Sequence, residues 1–108
     1  MTTTFPSNPI LLVDDEEHFL LSVEMTLRSH GINNINSCID SKHVMKLLAQ
    51  KQFSLIVLDI NMPDISGLEL LVLITAHYPD IPVIMLTAVN DVESAVLCMK
   101  EGAFDYIV

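Results

Sequence analysis

Residues 55–67 read LIVLDINMPDISG, an apolar run that stops at a carboxylate and is followed by proline and glycine. Residues 55–58 are short, continuous and apolar, which is typical of a strand buried on both faces of a parallel sheet. Asp59 could simply start a turn, since an Asp side chain bonds backbone two residues further on. The alternative is a chemical role for the carboxylate, and the other segments of the chain have to distinguish the two.

Short apolar segments alternate with amphipathic segments along the whole chain. Strands are predicted at residues 10–13, 35–38, 55–58, 83–86 and 106–108, and helices at 17–30, 41–50, 67–78 and 91–100. Continuous apolar strands that alternate with helices indicate an α/β fold, in which a doubly wound parallel sheet is covered on both faces. With 108 residues the chain forms one domain with a single large core.

Glycines and capping residues support the predicted helix boundaries. Gly31 and Gly102 stand where glycines commonly end helices. Ser66 and Glu69 have the spacing of a capping box, and Asn90 begins a second segment of that spacing. The third and fourth helices are therefore expected to begin near residues 67 and 91.

The fourth predicted helix carries one regular apolar stripe. Its members lie at i, i+3, i+4 and i+7: Val92, Ala95, Val96 and Met99. This spacing predicts that the stripe packs on the sheet, with Met99 filling the core.

The third predicted helix contains five consecutive apolar residues, 70–74, which cannot all share one face. Leu71 and Ile74 suit the core side. Val72 and Leu73 should then face outward, either as a partner or dimer surface or as a locally apolar face.

Composition excludes several classes of function. The apolar runs are far shorter than the roughly 18 to 20 residues that a membrane span needs, so no membrane partner is expected. Five basic and fourteen acidic residues give a formal charge of −9, which argues against nucleic-acid binding by this segment. The chain shows no secretory signal and no CxxC pair, which favours a reducing cytoplasm. Residues 1–8 are expected to form a mobile leader.

Polar residues follow the strands that are expected to be central. Asp14 and Asp15 follow the first strand, Asp59 the third, and Thr87 and Ala88 the fourth. The carboxyl ends of parallel strands meet at one edge of the sheet, where ligands of such folds bind. Carboxylates forced together repel each other unless a cation lies among them, and Mg²⁺, or Mn²⁺ in its place, suits this oxygen-rich set. An Asp beside such a metal can also act as a nucleophile toward phosphorus.

Four motifs in this order and spacing resemble the receiver domain of bacterial two-component response regulators. They are VDDEE at 13–17, LDINMPDISGLELL at 58–71, PVIMLTA at 82–88 and EGAFDYIV at 101–108, and the resemblance covers residues 8–108. It implies a flavodoxin-like, five-stranded parallel sheet of order 2-1-3-4-5, with the receiver domain at residues 9–108.

The resemblance also implies roles for individual residues. Asp59 would accept a phosphoryl group, Thr87 would contact that group, and the rotamer of Tyr106 would follow it, unless Tyr106 simply packs on its strand. The implied ligands of the metal are Asp14, Asp15, Asp59 and the backbone carbonyl of Asn61.

Partners follow from the same resemblance. A sensor histidine kinase would supply the phosphoryl group, and an output domain outside this chain would respond, so that the domain is a switch in phosphorelay signalling more than an enzyme. EGAFDYIV resembles receivers attached to sigma-54-dependent activators of transcription, which implies transcription regulation as the output.

The chain departs from the family pattern at its end. The family normally continues with Lys-Pro and a fifth helix, whereas this chain stops at Val108. If the protein is truncated there, we expect a homodimer that buries the first helix and the last strand.

Three other interpretations fit parts of the sequence. The strongest is a pseudo-receiver that is not phosphorylated and serves as a dimerisation or protein-interaction module. A dehalogenase-type phosphatase needs a second Asp two residues after the nucleophile, where this chain has Asn61. A calcium loop is disfavoured because Pro63 and Asp64 occupy the positions at which such a loop needs a ligand and a glycine.

Overall fold

A computed structural model of the chain describes residues 3–87 and 91–108. Five strands alternate with four α-helices in the described ranges. The strands are β1 (Ile10–Val13), β2 (Ile35–Cys38), β3 (Leu55–Asp59), β4 (Val83–Leu86) and β5 (Asp105–Ile107). The helices are α1 (Glu17–Ser29), α2 (Val44–Gln50), α3 (Gly67–His77) and α4 (Val92–Lys100).

The strands form one parallel sheet of order β2-β1-β3-β4-β5, which confirms the predicted fold class and strand order. Val13 of β1 is level with Cys38 on one side and with Leu58 on the other. On the next strand, Asp59 is level with Leu86. This register brings the carboxyl ends of β1, β3 and β4 to one edge of the sheet.

The core lies on both faces of the sheet because successive strand residues point to opposite faces. Leu11 and Val13 pack on the side that also holds buried residues of α2 and α3. Ile10 and Leu12 pack on the other side, with Leu20 of α1. In the described ranges no helix is both long enough and apolar enough to cross a bilayer.

Most element boundaries agree with the prediction to within one residue. The second helix differs more, because residues 41–43 form a single 3₁₀ turn before α2 begins. The Asp40 side chain accepts the backbone N–H of Lys42 at 3.0 Å and so starts this turn. Such tight turns are frequent at the N-termini of α-helices.

The capping box of α3 is present as predicted. The Ser66 side chain accepts the backbone N–H of Glu69, and the Glu69 carboxylate accepts the backbone N–H of Ser66 in return. Gly31 and Gly102 adopt positive φ at the ends of α1 and α4, which confirms their predicted role. Asn90, the first residue of the second predicted capping segment, lies outside the described residues, as does Ala88.

The predicted core stripe of α4 is correct at Ala95 and wrong at its other three members. Val92, Val96 and Met99 are exposed, and the helix buries Cys98 together with Ala95. Almost every side of this nine-residue helix carries apolar residues, so that periodicity alone did not select the inner face. The helix instead places two small side chains, three residues apart, on its buried side.

Helix α3 confirms the predicted division of its apolar run. Leu71 and Ile74 are fully buried, together with Leu70, whereas Val72 and Leu73 are 43% and 39% exposed. Whether the two exposed side chains form an interface stays a prediction.

The described part of the N-terminal segment is hydrogen-bonded to the turn before β2, and its mobility as a leader stays a prediction. Phe5 donates its backbone N–H to the Asn33 side chain at 2.8 Å, and the Phe5 carbonyl accepts the backbone N–H groups of Asn33 and Asn34. The Asn34 side chain also donates to the carbonyls of Pro6 and Ser7. The described residues of this segment therefore lie along the turn that precedes β2.

Both cysteines are buried and free. Cys38 ends β2, and Cys98 lies on the inner side of α4. Burial raises the pKa of each thiol above its ordinary value.

Candidate functional site

Three carboxylates meet at the carboxyl edge of the sheet. Asp14 and Asp15 directly follow β1, and Asp59 is the last residue of β3. Each can place one oxygen within 4.8 Å of an oxygen of the other two. The apolar strand residues before them are buried, and this burial fixes where the two strands end.

Burial and mutual repulsion govern the electrostatics of this cluster. Burial, and then the nearby charge of Asp14, raise the pKa of Asp59 to about 6, although the backbone N–H groups of Asn61 and Ile60 act in the opposite direction. Burial also raises the pKa of Asp14, a group that is almost fully enclosed. The free energy of both charged groups is therefore unfavourable in the absence of a cation.

Backbone contacts hold the cluster in place. The Asp14 carboxylate accepts the backbone N–H of Glu16 at 2.9 Å. The loop after β3 turns back so tightly that Gly67 donates its N–H to the Ile60 carbonyl at 2.9 Å. A Cβ atom on Gly67 would collide with the backbone of Asp59, so the close approach requires glycine at this position.

Thr87 lies at the same edge, immediately after β4. Its N–H donates to the carbonyl of Ile107 on β5 at 3.0 Å. Its hydroxyl donates to the backbone carbonyl of Asp91 at 3.1 Å. An open cleft of about 270 Å³ lies at this edge, and its lining residues are Asp14, Glu16, Phe19, Asp59, Leu86 and Thr87.

The other predicted site residues lie near this cleft or farther away. The Asn61 side chain donates to the Asp91 carboxylate at 3.3 Å, and the role of the Asn61 carbonyl as a ligand stays a prediction. Tyr106 is half-buried on β5, level with Met85, and packs against the core. Its rotamer change also stays a prediction. Val72 and Leu73 lie on α3, outside the residues that line the cleft.

Three residues of this region were not identified from the sequence. Glu16 and Phe19 line the cleft, and Asp91 contacts both Asn61 and Thr87. In the sequence, Glu16 is the third acidic residue of DDEE, and Asp91 directly precedes the fourth helix. An acidic residue at a solvated helix start or at a helix cap has a common structural explanation, so neither position indicated a functional role.

The donor set fits a hard divalent cation. Within the described residues, the cluster offers carboxylate oxygens only, which Mg²⁺ and Mn²⁺ prefer and which zinc sites seldom use alone. A cation beside the cluster would favour the charged forms of Asp14 and Asp59, whose pKa values burial raises. An open cleft beside the cluster leaves room for a substrate next to Asp59.

Comparisons with known proteins agree with this geometry. Residues 10–108 match the family described as "Response regulator receiver domain". The response regulator protein FleR of Pseudomonas aeruginosa is 38% identical over 101 residues, which cover 92% of this chain and 21% of FleR. The DNA-binding transcriptional regulator NtrC of Proteus hauseri is 36% identical, over 91% of this chain and 20% of NtrC.

A solved structure adds a chemical parallel. A response regulator protein from Burkholderia pseudomallei, with a phosphorylated aspartic acid, calcium ion and citrate, superposes with a TM-score of 0.81. It is 26% identical, and the match covers 93% of this chain and 58% of that chain. The chain spans about a fifth of the length of FleR and NtrC.

Proposed function

The chain belongs to the response regulator receiver domain family, and from this membership we propose that Asp59 accepts a phosphoryl group from the phosphohistidine of a sensor kinase. The observation that supports this role best is the position of Asp59, a half-buried carboxylate at the strand end, beside two further carboxylates and an open cleft. The phosphorylated aspartic acid in the similar Burkholderia protein supports the same residue type as acceptor.

The proposed reaction transfers one phosphoryl group without a net change in oxidation. An oxygen of the Asp59 carboxylate attacks phosphorus, an acyl phosphate forms, and the bond from phosphorus to the histidine nitrogen breaks. The Asp59 carboxylate must be ionised to attack phosphorus. Because its pKa is about 6, most of it is ionised at neutral pH.

Asp14, Asp15, Asp59 and the backbone carbonyl of Asn61 would hold Mg²⁺ or Mn²⁺. When bound, such an ion supplies positive charge that offsets the negative charge gathered on the phosphoryl oxygens. Asp14 and Asp15 place their oxygens close to Asp59, and the Glu16 N–H orients the Asp14 carboxylate.

Thr87 and Tyr106 would transmit the effect of Asp59 phosphorylation to the surface of the domain. In the described structure the Thr87 hydroxyl donates to the Asp91 carbonyl. We propose that it donates to a phosphoryl oxygen after phosphorylation, which would draw it away from the start of α4. Tyr106, on the neighbouring strand, would change rotamer as Thr87 moves, and the surface of α4 and β5 would signal the change to an output domain.

The output would be transcriptional regulation, with sigma-54-dependent activation as the finer proposal from the sequence resemblance. NtrC, one of the relatives, is a DNA-binding transcriptional regulator that extends well beyond the matched region. The receiver itself would not bind nucleic acid, because its formal charge is −9. A cytoplasmic location would fit a kinase and a transcriptional output.

The test is intact mass after incubation with acetyl phosphate, with and without Mg²⁺. We expect a gain of one phosphoryl group that needs Mg²⁺ and that disappears in Asp59→Asn. Asp80→Asn is the matched control, since Asp80 is an exposed aspartate between α3 and β4, at the opposite edge of the sheet. Unaltered mass under all conditions, or an equal gain in Asp59→Asn, would refute the proposal.

The pseudo-receiver is the second candidate function. The exposed apolar residues on α3 and α4, among them Val72 and Val96, favour a protein-interaction role. A chain that binds Mg²⁺ weakly, gains no phosphoryl group and still associates with a partner would support this alternative.

A further inference from the structure

The edge strand β2 is open on its outer side. Among the described strands it pairs with β1 alone. The N–H groups of Ile10 on β1 and of Asp14, just after β1, donate to the carbonyls of Asn34 and Cys38. Asn34 and Cys38 therefore direct their backbone groups inward, toward β1. The direction of the backbone N–H and C=O groups alternates from one strand residue to the next. Ser37 therefore points its N–H and C=O outward, away from β1, and this residue is exposed.

Two grooves flank this edge, one on each face of the sheet. The groove beside α2 has a volume of about 470 Å³ and includes His43, Lys46 and Gln50 in its lining. The groove beside α1 has a volume of about 280 Å³ and includes Leu21 and Glu17. Both grooves are bordered by Ser37 and Ile39, so a strand added beside β2 would place alternate side chains into the two grooves.

The charges around the grooves differ in sign. Three of the five basic residues of this acidic chain lie in residues 42–51. Lys42 is 3.9 Å from Asp64, and Lys51 donates to the Asn36 side chain at 3.3 Å. Within the described residues, Lys46 makes no hydrogen bond or ion pair, and it is exposed in the larger groove, whose one acidic residue is Asp40.

The Asp40 carboxylate already has neighbours. One oxygen accepts the N–H of Lys42, and the other lies 4.0 Å from His43. Lys46 is therefore the available charge for an incoming side chain. In the smaller groove, Leu21 and Ile39 are each more than half exposed and offer apolar surface. Glu24 of this groove pairs with Arg28 at 3.1 Å.

We propose that the β2 edge binds an extended segment of a partner protein in which an acidic residue alternates with large apolar residues. The guest backbone pairs with Ser37, its acidic side chain contacts Lys46, and its apolar side chains cover Leu21 and Ile39. Backbone pairing supplies affinity and the two grooves supply specificity, as in other cases of strand addition. This surface is separate from the cleft at Asp59 and goes beyond the proposed phosphoryl transfer.

A second copy of this chain fits the edge poorly. Antiparallel two-fold pairing of β2 with itself places α1 opposite α1 and α2 opposite α2. Glu17 would then approach Glu17 of the other copy, and Lys46 would approach its own counterpart, which is unfavourable. Parallel two-fold pairing places Ser37 level with Ser37, so that donor meets donor.

The test uses a fluorescent peptide of sequence Gly-Ser-Val-Glu-Val-Glu-Val-Ser-Gly and the full chain. Anisotropy should show saturable binding, and amide hydrogen exchange should slow at Ser37. The permuted peptide Gly-Ser-Val-Val-Val-Glu-Glu-Ser-Gly has the same composition without the alternation, and it should bind at least about tenfold more weakly.

Two variants of the chain test the contacts. Lys46→Glu should weaken binding about tenfold, whereas Lys100→Glu, the same change at an exposed residue of α4, should leave it unaltered. Ser37→Pro removes the outward N–H and should abolish binding. If Ser37→Pro does not fold, the Lys46 comparison and the exchange data still decide the question.

Several results would overturn the proposal. They are no binding, equal binding of the permuted peptide, equal effects of the two lysine variants, and protection of amides away from β2. A further contrary result would be amide exchange at Ser37 that slows with increasing protein concentration in the absence of peptide. It would show that a second copy of the chain occupies the edge, and it would equally refute the proposal.

Discussion

At the scale of single residues, Asp59 carries an electrostatic cost in the folded state. Its pKa is about 6, above the ordinary value of 3.8, because burial and Asp14 disfavour the charged form. A carboxyl group with a raised pKa stabilises the fold below its ordinary pKa, and this contribution is lost as the pH rises through about 6. Without divalent cations, this group therefore lowers the free energy of unfolding as the pH rises from 3.8 to about 6.

Asp59→Asn should remove that cost. We expect the variant to be more stable than the parent chain by about 1–3 kcal/mol at neutral pH, with a smaller difference near pH 4. Urea unfolding in the presence of a chelator measures both values. Asp80→Asn serves as control, and a difference that is constant with pH would contradict this explanation.

Gly67 is the second residue with a specific consequence. Gly67→Ala should destabilise the fold by about 2–4 kcal/mol, because a Cβ has to displace the backbone of Asp59 and Ile60. Thermal or urea unfolding measures this loss. Gly31→Asn is the control: no atom lies within 4 Å of a Cβ there, so only the positive φ of 87° opposes the change. Asn tolerates positive φ better than other side chains do, and we expect a smaller loss of about 1 kcal/mol. Equal losses in the two variants would show that the contact at Gly67 is unimportant.

The sequence predicted the residues of the cluster better than their surroundings. Asp14, Asp15 and Asp59 were predictable because each follows a continuous apolar strand, and parallel strands share one carboxyl edge. The contacts of Asp91 with Asn61 and Thr87 were not predictable, since they depend on how the loop between β4 and α4 turns.

At the scale of the element, α3 depends on its capping box. Ser66→Ala should lower the free energy of unfolding by about 1 kcal/mol, because the N–H of Glu69 loses its acceptor. Ser22→Ala, the same change at an exposed residue inside α1, should have an effect below about 0.5 kcal/mol. Urea unfolding at one pH compares the two, and a larger loss at Ser22 would contradict the capping argument.

Helix α4 shows where periodicity fails. Its apolar residues occupy so many positions that two buried stripes were possible: the predicted one with Val92, Val96 and Met99, and one with Cys98. Both stripes contain Ala95. Contacts with α3 and β5 select the stripe with Cys98, and these contacts depend on the assembled sheet. By contrast, α3 has three fully buried residues on one side, and its inner face was correctly predicted.

At the scale of the whole molecule, the alternation of strands and helices was sufficient to predict an α/β sheet. The strand order 2-1-3-4-5 came from the resemblance and is confirmed by the structure. The attachment of residues 3–7 to Asn33 and Asn34 was not foreseen. It rests on side-chain amides that bond backbone groups almost thirty residues away, and such pairing leaves no local pattern in the sequence.

Exposed apolar side chains on α1 and β5 predict self-association of the 108-residue chain. Met25 is 63% exposed and Ile107 is 52% exposed, and both lie on the elements expected to form a homodimer. Light scattering should detect a dimer that Met25→Lys together with Ile107→Lys dissociates. Val72→Lys with Leu73→Lys tests the α3 surface in the same assay. A parent chain that stays monomeric would contradict the proposed role of both surfaces in self-association.

The burial of both cysteines has a practical consequence for spectroscopy. Thiol reagents react with the thiolate, and Cys38 and Cys98 combine low accessibility with raised pKa values. A single cysteine introduced on the surface of α4 or beside β2 should therefore take a fluorophore or a spin label in preference to the native thiols. A pair of such cysteines would allow distances across the domain to be followed in solution without first preparing a cysteine-free background.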